Sequence, residues 1–443
     1  MTSTLPQLPN ITGWSIDSRT VQPGDAFFAI IGPTHDGHDH VQAAFDRGAA
    51  IAIVSKPVAA KGPTLLVENT ERTLQDFAAT MRRNWGGKVV AVTGSAGKTS
   101  TKDAISTLMA TQFPTGRTIG NLNNHLGLPL SILRLPDHAQ VAVLEMGMNH
   151  AGEIRALARI AKPDVGVITN IGWAHAENFP DGIDGVALAK RELIEELPAN
   201  GIAILNADDP RARDFADVHP GRTILYGFSD AAEVRAENAV VTADGAQFRA
   251  LGQDFESPLA GRHGVSNALA AIAAAHALGI PAALLPDAVR QLAQGHMRGE
   301  RTERNGVTIV NDCYNSNPEA ARSMLELLRG IPARRRIAVL GEMLELGREA
   351  ETLHRGTGQF AAGGDIDVLV GIRGAARFMV DEALKSGMSD GTALFFDTPE
   401  QAGDFVRGHA QPGDAVLFKG SRGVQVERAL ERAFGPQAFG GGN

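Results

Sequence analysis

Short apolar runs alternate with longer amphipathic stretches along most of the chain, and the alternation changes character twice. Up to about residue 84 the apolar runs are brief: Ala26–Ile31, Ala50–Val54 and Leu65–Val67, separated by polar turns and followed by a helical pattern over Thr70–Asn84. From residue 88 the runs are nearly continuous. Val89–Thr93, Val141–Met146, Val165–Asn170 and Ile202–Asn206 read as strands, and Thr99–Ala110, Ile154–Ala161 and Val186–Leu197 as the helices between them. Near-continuous apolar strands alternating with helices predict a mostly parallel sheet covered on both faces. Residues Thr223–Leu259 are shorter and more polar, a β-rich excursion. The alanine-rich run Ala268–Ile280 then predicts a helix packed closely against the sheet. After residue 300 the alternation resumes, with strands at Val307–Val310, Ile337–Leu340, Val368–Gly371 and Ala415–Phe418. Helices are expected there at Pro318–Leu328, Arg348–Ala361 and Val424–Phe434.

This pattern predicts an α/β protein of three domains: a smaller N-terminal α/β domain over 1–84, a central domain with a mostly parallel sheet over 85–300, and a second α/β domain over 301–443. Trp85-Gly86-Gly87 is the expected hinge between the first two. A chain of 443 residues is too long for a single core. The Gly440-Gly441-Gly442 tail is expected to be disordered.

A formal charge of −8 argues against a nucleic-acid binder held by phosphate contacts, so any anionic ligand needs a local site. The single cysteine, Cys313, rules out an intrachain disulfide and a cysteine-based zinc site, and reads as a small core residue. The first residues lack a basic region followed by an apolar one, so no secretory signal is expected. The run Ala268–Ile280 is too short to span a bilayer. A soluble, cytoplasmic protein without membrane insertion is the expectation.

The sharpest chemical signal is Gly94-Ser95-Ala96-Gly97-Lys98-Thr99-Ser100, between an apolar strand and a helix-compatible stretch. A glycine turn in that place gathers backbone N–H groups and a helix N-terminus around one point, which suits a polyphosphate. Lys98 would reach the terminal phosphates, and the Thr99 hydroxyl would bind Mg²⁺. The spacing is compact, G-x-x-G-K-T, because Val92 stands where the usual first glycine belongs.

Two further motifs end neighbouring apolar runs, at the edge where open α/β sheets place ligands. Glu145 closes one of them, and a carboxylate there is costly to desolvate unless it is paired or bound to a cation. His175 follows another through a glycine-containing loop, and reads equally as structural or as a metal or phosphate contact. Lys190, with Glu192 and Glu195 nearby, reads from the residues alone as a solvated charged face. His263 and Asn267 are four apart and share a helical face, with Asn267 either a cap or a contact to an adenine edge. Arg298 and Arg301 lie at the junction with the last region. Asp312 could accept bonds from ribose hydroxyls, or simply form the turn before Pro318. Lys419 and Arg422 are candidates for a substrate carboxylate or plain surface charge.

Together and in this order, these motifs resemble the Mur ligase family, the ATP-dependent amide-forming enzymes of peptidoglycan precursor synthesis. The resemblance covers nearly the whole chain. Its narrower marks are Gly120-Asn121-Leu122-Asn123-Asn124-His125-Leu126-Gly127-Leu128-Pro129, Glu145-Met146-Gly147, Tyr314-Asn315-Ser316-Asn317-Pro318 and Leu340-Gly341-Glu342-Met343-Leu344-Glu345-Leu346-Gly347. They point to the branch that joins D-alanyl-D-alanine to UDP-N-acetylmuramoyl-tripeptide. The Asp-Asn-Pro-Arg signature of the branch that adds diaminopimelate is absent.

The resemblance implies a Rossmann-like C-terminal domain, ATP and Mg²⁺ (two ions) as cofactors, and a monomer. It implies that Gly94 to Ser100 hold the ATP phosphates and that Thr99, Glu145 and His175 bind metal. It also implies that Lys190 is carbamylated and so holds a second Mg²⁺, which reverses the bland reading of that residue. Asn267, Arg298, Asp312 and Asn315 match nucleotide-binding positions, with Arg298 near the γ-phosphate. Asp17-Ser18-Arg19 and Gly37-His38-Asp39 resemble the segment that grips the uridine diphosphate. Asn121, Asn123 and Asn124 are carried over as substrate-binding, and Lys419 and Ser421 fall in the motif for the incoming dipeptide. Gly264 stands where Asn is common and Glu342 where Asp is common, so contacts near them are less firmly carried over. The implied chemistry is phosphorylation of a carboxylate by ATP, then attack on the acyl phosphate by an amine, with hinge closure excluding water. Other readings stay open at this point: a different member of the superfamily such as a folylpolyglutamate synthetase, a P-loop switch that only hydrolyses, or a nucleotide-sugar-binding regulator.

Overall fold

The P-loop strand Lys88–Thr93 lies inside a seven-stranded sheet in which every pairing is parallel. The computed structural model describes residues 11–436, so the expectations for the N-terminal stretch up to residue 10 and for the glycine tail fall outside the described residues. Across the sheet the order is Val234–Arg235, Arg222–Gly227, Ile202–Asn206, Val165–Ile168, Lys88–Thr93, Val141–Glu145, Thr115–Arg117. Successive residues of the P-loop strand serve opposite faces, as a two-residue period requires. Val89 and Ala91 pack with Leu157, Leu193 and Ile194 of the helices Glu153–Ala161 and Ile183–Glu195. Val90 and Val92 pack with Ile105 and Leu108 of Lys98–Met109 and with the alanines of Gly261–Ala277. Ala270, Ala271, Ala273, Ala274 and Ala275 are fully buried, so small side chains let that helix approach closely.

A four-stranded parallel sheet precedes this one, with Gly13–Ser15, Asp25–Phe28, Ile51–Val54 and Thr64–Leu66 in chain order. Its helix Thr70–Trp85 buries Leu74 and Phe77 in the same cluster as Val89 and Ala91. The expected β-rich excursion is an antiparallel sheet of Glu237–Val241, Ala246–Ala250 and Gln253–Ser257. Its expected start at Thr223 is corrected: Arg222–Gly227 joins the central sheet beside Ile202–Asn206, because Ile224 and Tyr226 are buried in the central core.

The third sheet runs Glu300–Arg304, Val307–Asp312, Ala415–Lys419, Arg336–Gly341, Val368–Ile372, Ala393–Phe396. All its pairings are parallel except the first. The strand Ala415–Lys419, last in the chain, sits between two earlier ones. The loops after Asp312, Gly341 and Lys419 therefore leave the same edge side by side. The antiparallel edge strand Glu300–Arg304 escapes a hydrophobic-pattern reading because it is charged, as an exposed edge requires. The described residues include no helix long and apolar enough to cross a membrane.

The charged-face reading around Lys190 fails in the structure. Lys190 and Glu192 are both buried in the helix Ile183–Glu195. Glu192 accepts from the Gly152 amide at 2.8 Å and from the Arg155 amide at 2.9 Å, capping the helix Glu153–Ala161 from a neighbouring helix. A carboxylate is favourable at that end, where the amides have no partner within their own helix. Glu195 instead pairs with Arg155 and Arg191. Replacing Glu192 by Ala leaves both amides without a partner and is expected to cost about 1–3 kcal/mol. Differential scanning calorimetry should then show the midpoint several degrees lower, and an unchanged midpoint would count against the cap.

Candidate active site

The strand register fixes the site. Val92 lies opposite Glu145 and Thr93 opposite Ile168, so the P-loop, Glu145 and the segment Thr169–His175 leave adjacent strands at one edge. The same pairing explains the compact glycine loop. Val92 is still in the ladder, so the turn begins only at Gly94, with φ +153°, and ends at Gly97, with φ +79°. A Cβ at Gly94 would stand 1.8 Å from Thr169 Oγ1, and one at Gly97 2.8 Å from Asn267 Oδ1. The first helical bond is Thr101 N to Gly97 O, so the amides of Lys98, Thr99 and Ser100 precede it at the positive end of the helix.

Part of the loop is already satisfied from within. The Ala96 amide donates to Asn170 Oδ1 at 2.9 Å, the Ser95 amide donates to the Asn170 carbonyl at 3.0 Å, and Ser95 Oγ donates to Gly172 O at 3.0 Å. Asn170 thus braces the loop, a role the sequence hid by making it look like the end of a strand that stops at Ile168. Thr101 Oγ1 donates to Asn267 Oδ1 at 3.1 Å and ties the alanine-rich helix to the P-loop helix.

These groups open on a cavity of about 500 Å³ that the central sheet edge shares with the C-terminal sheet edge. Lys98, Thr99, Glu145 and His175 line it from one side, and Arg298, Asp312, Asn315 and Lys419 from the other. Asn121, Asn123 and Asn124 also line it, as does His263, which shares its helical face with Asn267. Lys98 Nζ donates to Gly94 O at 2.7 Å. Burial lowers the Lys98 pKa; the Glu145 charge opposes this and the Arg298 charge adds to it. Glu145 is fully buried. Its Oε1 accepts from Asn123 Nδ2 at 2.7 Å, and its Oε2 is buried without a hydrogen-bond partner. A carboxylate oxygen so placed fits a cation. Among the described residues no three His, Cys, Asp or Glu side chains are grouped to hold a metal. Glu145 Oε2 and the Thr99 hydroxyl, both on the cavity wall, are oxygen donors of the kind Mg²⁺ takes.

Lys190 is buried behind this wall, with no hydrogen-bond or ion-pair partner among the described residues. Burial holds its amine well below the ordinary lysine range, and the nearby Lys98 charge pushes the same way. Arg298 stacks over Tyr314 at 3.9 Å, which holds its guanidinium at the cavity wall. Lys419 Nζ donates to Asp312 Oδ2 at 2.5 Å and to Asn315 O at 2.9 Å, so the residue expected at the dipeptide and two expected at the nucleotide form one cluster. Ser421 lies outside the cavity wall and its hydroxyl is spent on loop contacts, accepting from the Leu344 amide at 2.9 Å. Glu319, which the sequence did not mark, also lines the cavity. It faces the Trp173 amide at 3.4 Å, and burial raises its pKa.

The N-terminal candidates are not brought to this cavity. Asp17 is paired with Arg19 at 2.7 Å in an exposed loop, which lowers the Asp17 pKa to about 2. Ser18 lies between them. Gly37 packs against the backbone of Ile30, where a Cβ would come within 2.7 Å of the amide nitrogen. His38 is buried between Asp36, 2.6 Å from Nδ1, and the Ser55 amide, which donates to Nε2 at 2.9 Å.

Three family descriptions match successive parts of the chain: Mur ligase family, catalytic domain, over 10–82; Mur ligase middle domain over 92–275; and Mur ligase, glutamate ligase domain, over 297–422. The chain belongs to the Mur ligase family. The UDP-N-acetylmuramoyl-tripeptide–D-alanyl-D-alanine ligase of Bacillus subtilis is 34% identical, over 95% of this chain and 93% of its own. A crystal structure of MurF from Acinetobacter baumannii superposes with a TM-score of 0.88 at 30% identity, over 97% of this chain and 95% of its own. MurF from Thermotoga maritima, solved in complex with ADP, gives 0.84 at 30% identity over 97% and 98%. These likenesses support nucleotide use by this Mur ligase, and the first amides of the helix after Gly97 face the cavity with Lys98. Gly97→Ala places a Cβ against Asn267 in a backbone region that favours glycine. It should weaken ADP binding at least tenfold by titration calorimetry while the far-ultraviolet circular dichroism stays unchanged.

Proposed function

We propose that this Mur ligase joins D-alanyl-D-alanine to UDP-N-acetylmuramoyl-tripeptide at the expense of ATP, giving the pentapeptide precursor of peptidoglycan. The observation that carries the reading is the shared cavity, where a P-loop lysine and a buried, half-unpartnered carboxylate face the loops of the C-terminal sheet. In this reading the chain has three working units: residues 1–84 for the uridine diphosphate part, 85–300 for ATP and 301–443 for the dipeptide. The first unit would then grip its ligand through Asp17, Ser18, Arg19, Gly37 and His38, at a distance from the cavity.

A carboxylate is a poor electrophile, so the tripeptide terminus is first phosphorylated. Its oxygen attacks the γ-phosphorus, the bond to the bridging oxygen breaks, and ADP leaves. The amine of the dipeptide then attacks the acyl carbon, phosphate departs and the amine loses its proton. Two anions must meet in the first step. Lys98 and Arg298 lower that repulsion and stabilise the charge in transfer, and the P-loop amides orient the phosphates. The protein supplies no nucleophile, so positioning and electrostatics carry the acceleration. Thr99, Glu145 and His175 are the residues that would hold one Mg²⁺, with Lys190 as a carbamate holding a second. When bound, the metal offsets phosphate charge as a Lewis acid.

For Lys190 the environment favours that modification. A buried amine with a lowered pKa keeps its lone pair, which can attack CO₂ and release a proton. The carbamate would set an anion, in place of a neutral amine, beside Lys98. In ¹³C-bicarbonate, the enzyme should show a carbamate resonance that Lys190→Ala lacks, and a short carboxylic acid should restore part of that variant's activity. Neither effect occurring would remove the assignment.

The reading itself is tested by phosphate release from ATP with UDP-N-acetylmuramoyl-tripeptide, with and without D-alanyl-D-alanine, alongside mass detection of the pentapeptide. Pentapeptide should form only with all three reactants, and Lys98→Ala should abolish it with the fold intact. ATP consumption indifferent to both acceptor and amine would favour the switch reading instead.

A further inference from the structure

We infer that Glu345 is the positioning residue of His175, acting only when the C-terminal unit is docked on the central one. The inference rests on the ligase reading above, in which His175 is a metal ligand.

Glu345 belongs to the segment Leu340–Gly347, distinctive in sequence but so far without a role. The segment leaves the strand Arg336–Gly341 and is braced from its own unit. The Met343 amide donates to His354 Nε2 at 2.9 Å, and His354 Nδ1 lies 2.6 Å from Ala350 O. One ring nitrogen accepts and the other donates, so the buried His354 is a neutral prop. The Leu344 amide is held by Ser421 Oγ at 2.9 Å. Met343 and Leu346 are buried, and Trp173 of the central unit packs against them.

Across that boundary the contacts are specific. The Glu177 amide donates to Glu345 O at 3.0 Å, and Arg348 Nη2 donates to Pro180 O at 3.3 Å. Gly347, at φ +59°, lies so close to Glu177 that a Cβ would come within 2.9 Å of its Cα. His175 has φ 66° and Glu345 φ 64°. Left-handed backbone is costly for residues with a Cβ and persists where the surroundings hold it. Here each such residue presents its side chain to the other: His175 Nδ1 lies 2.5 Å from Glu345 Oε2 and has no well-aligned hydrogen-bond partner.

A histidine that binds a metal needs one free nitrogen lone pair and a ring that does not turn. A carboxylate at the second nitrogen holds the proton there and fixes the ring. Glu345 occupies the Nδ1 side, which leaves Nε2 for the cation. Because that carboxylate comes from the other unit, metal binding and docking are linked, and each favours the other by the same factor.

Mn²⁺, titrated into the full-length enzyme with ADP and followed by the electron paramagnetic resonance of the free ion, tests this. Glu345→Ala should weaken Mn²⁺ binding by on the order of 10–100-fold. Glu345→Gln, whose amide oxygen can accept from Nδ1 without the charge, should lose less. In a His175→Ala background, Glu345→Ala should have no further effect. Mn²⁺ affinity within twofold of the unmodified enzyme in Glu345→Ala, or a full additional loss in the His175→Ala background, would overturn the inference. Pentapeptide formation by the unmodified enzyme is scored separately. Its presence with no Mn²⁺ effect defeats the role of Glu345 alone, and its absence with the Mn²⁺ effect intact defeats the substrate assignment alone.

Discussion

The structure depends on one ladder. Pairing of Val92 with Glu145 and of Thr93 with Ile168 sets three strand ends level, and the P-loop, Glu145 and the segment that carries His175 hang from those ends. The ladder is held by side chains that touch no ligand. Val89 and Ala91 anchor one face, Val90 and Val92 the other, and all four are fully buried. Because side chains alternate along a strand, a slip of one residue would turn each of these four side chains to the opposite face and move Glu145 away from the P-loop. The hydrophobic core therefore specifies the position of a buried carboxylate relative to a lysine.

That placement concentrates charge where charge is expensive. Lys98, Lys190 and Arg298 act on one another closely enough for Arg298 and burial to lower the Lys98 pKa, and for Lys98 and burial to lower that of Lys190. Glu145 offsets part of this, yet its Oε2 is left without a hydrogen-bond donor. Without ligand such a cluster is destabilising, since buried charges need partners. The proposed magnesium nucleotide would supply both complements, a polyanion for the cations and a cation for the carboxylate. The net charge of −8 thus coexists with a local anion site, because field at short range in a shielded pocket outweighs the overall balance.

How much of this was legible follows from which signals are local. The strands of the central sheet could be read because they are continuous apolar runs. The P-loop could be read because its glycines, lysine and threonine are consecutive. Thr115–Arg117 could not, being three residues with a glycine between polar neighbours, and Glu300–Arg304 could not, being a charged edge. Lys190 and Glu192 were misjudged from the residues alone because charge on a helix normally marks the solvated face. Here Glu192 spends its charge on another helix's amides, a partner forty positions away. Asn170, Glu319 and Glu345 belong to the same class: each has contacts that exist only after distant segments meet, and composition carries no trace of them. The family resemblance singled out Lys190 and did not single out the other three.

The division of the site between two sheets has its own logic. A nucleotide site built wholly on the central edge would form before the second substrate arrived, and an acyl phosphate made there would face water. With Arg298, Asp312 and Lys419 carried by the C-terminal sheet side, the cavity is complete only when the two edges face each other. Docking must therefore be stabilised by contacts that do not depend on the ligand, yet remain weak enough to release product. The boundary carries such contacts in two places. Met343 and Leu346 pack with Trp173, Ala243 and Ala260 of the central unit pack among Val310, Met324 and Leu327, and backbone and ion-pair contacts at Glu345 add orientation. In the ligase reading a nucleotide that touches both sheet edges would add to the free energy of docking, because it binds only where the two edges meet.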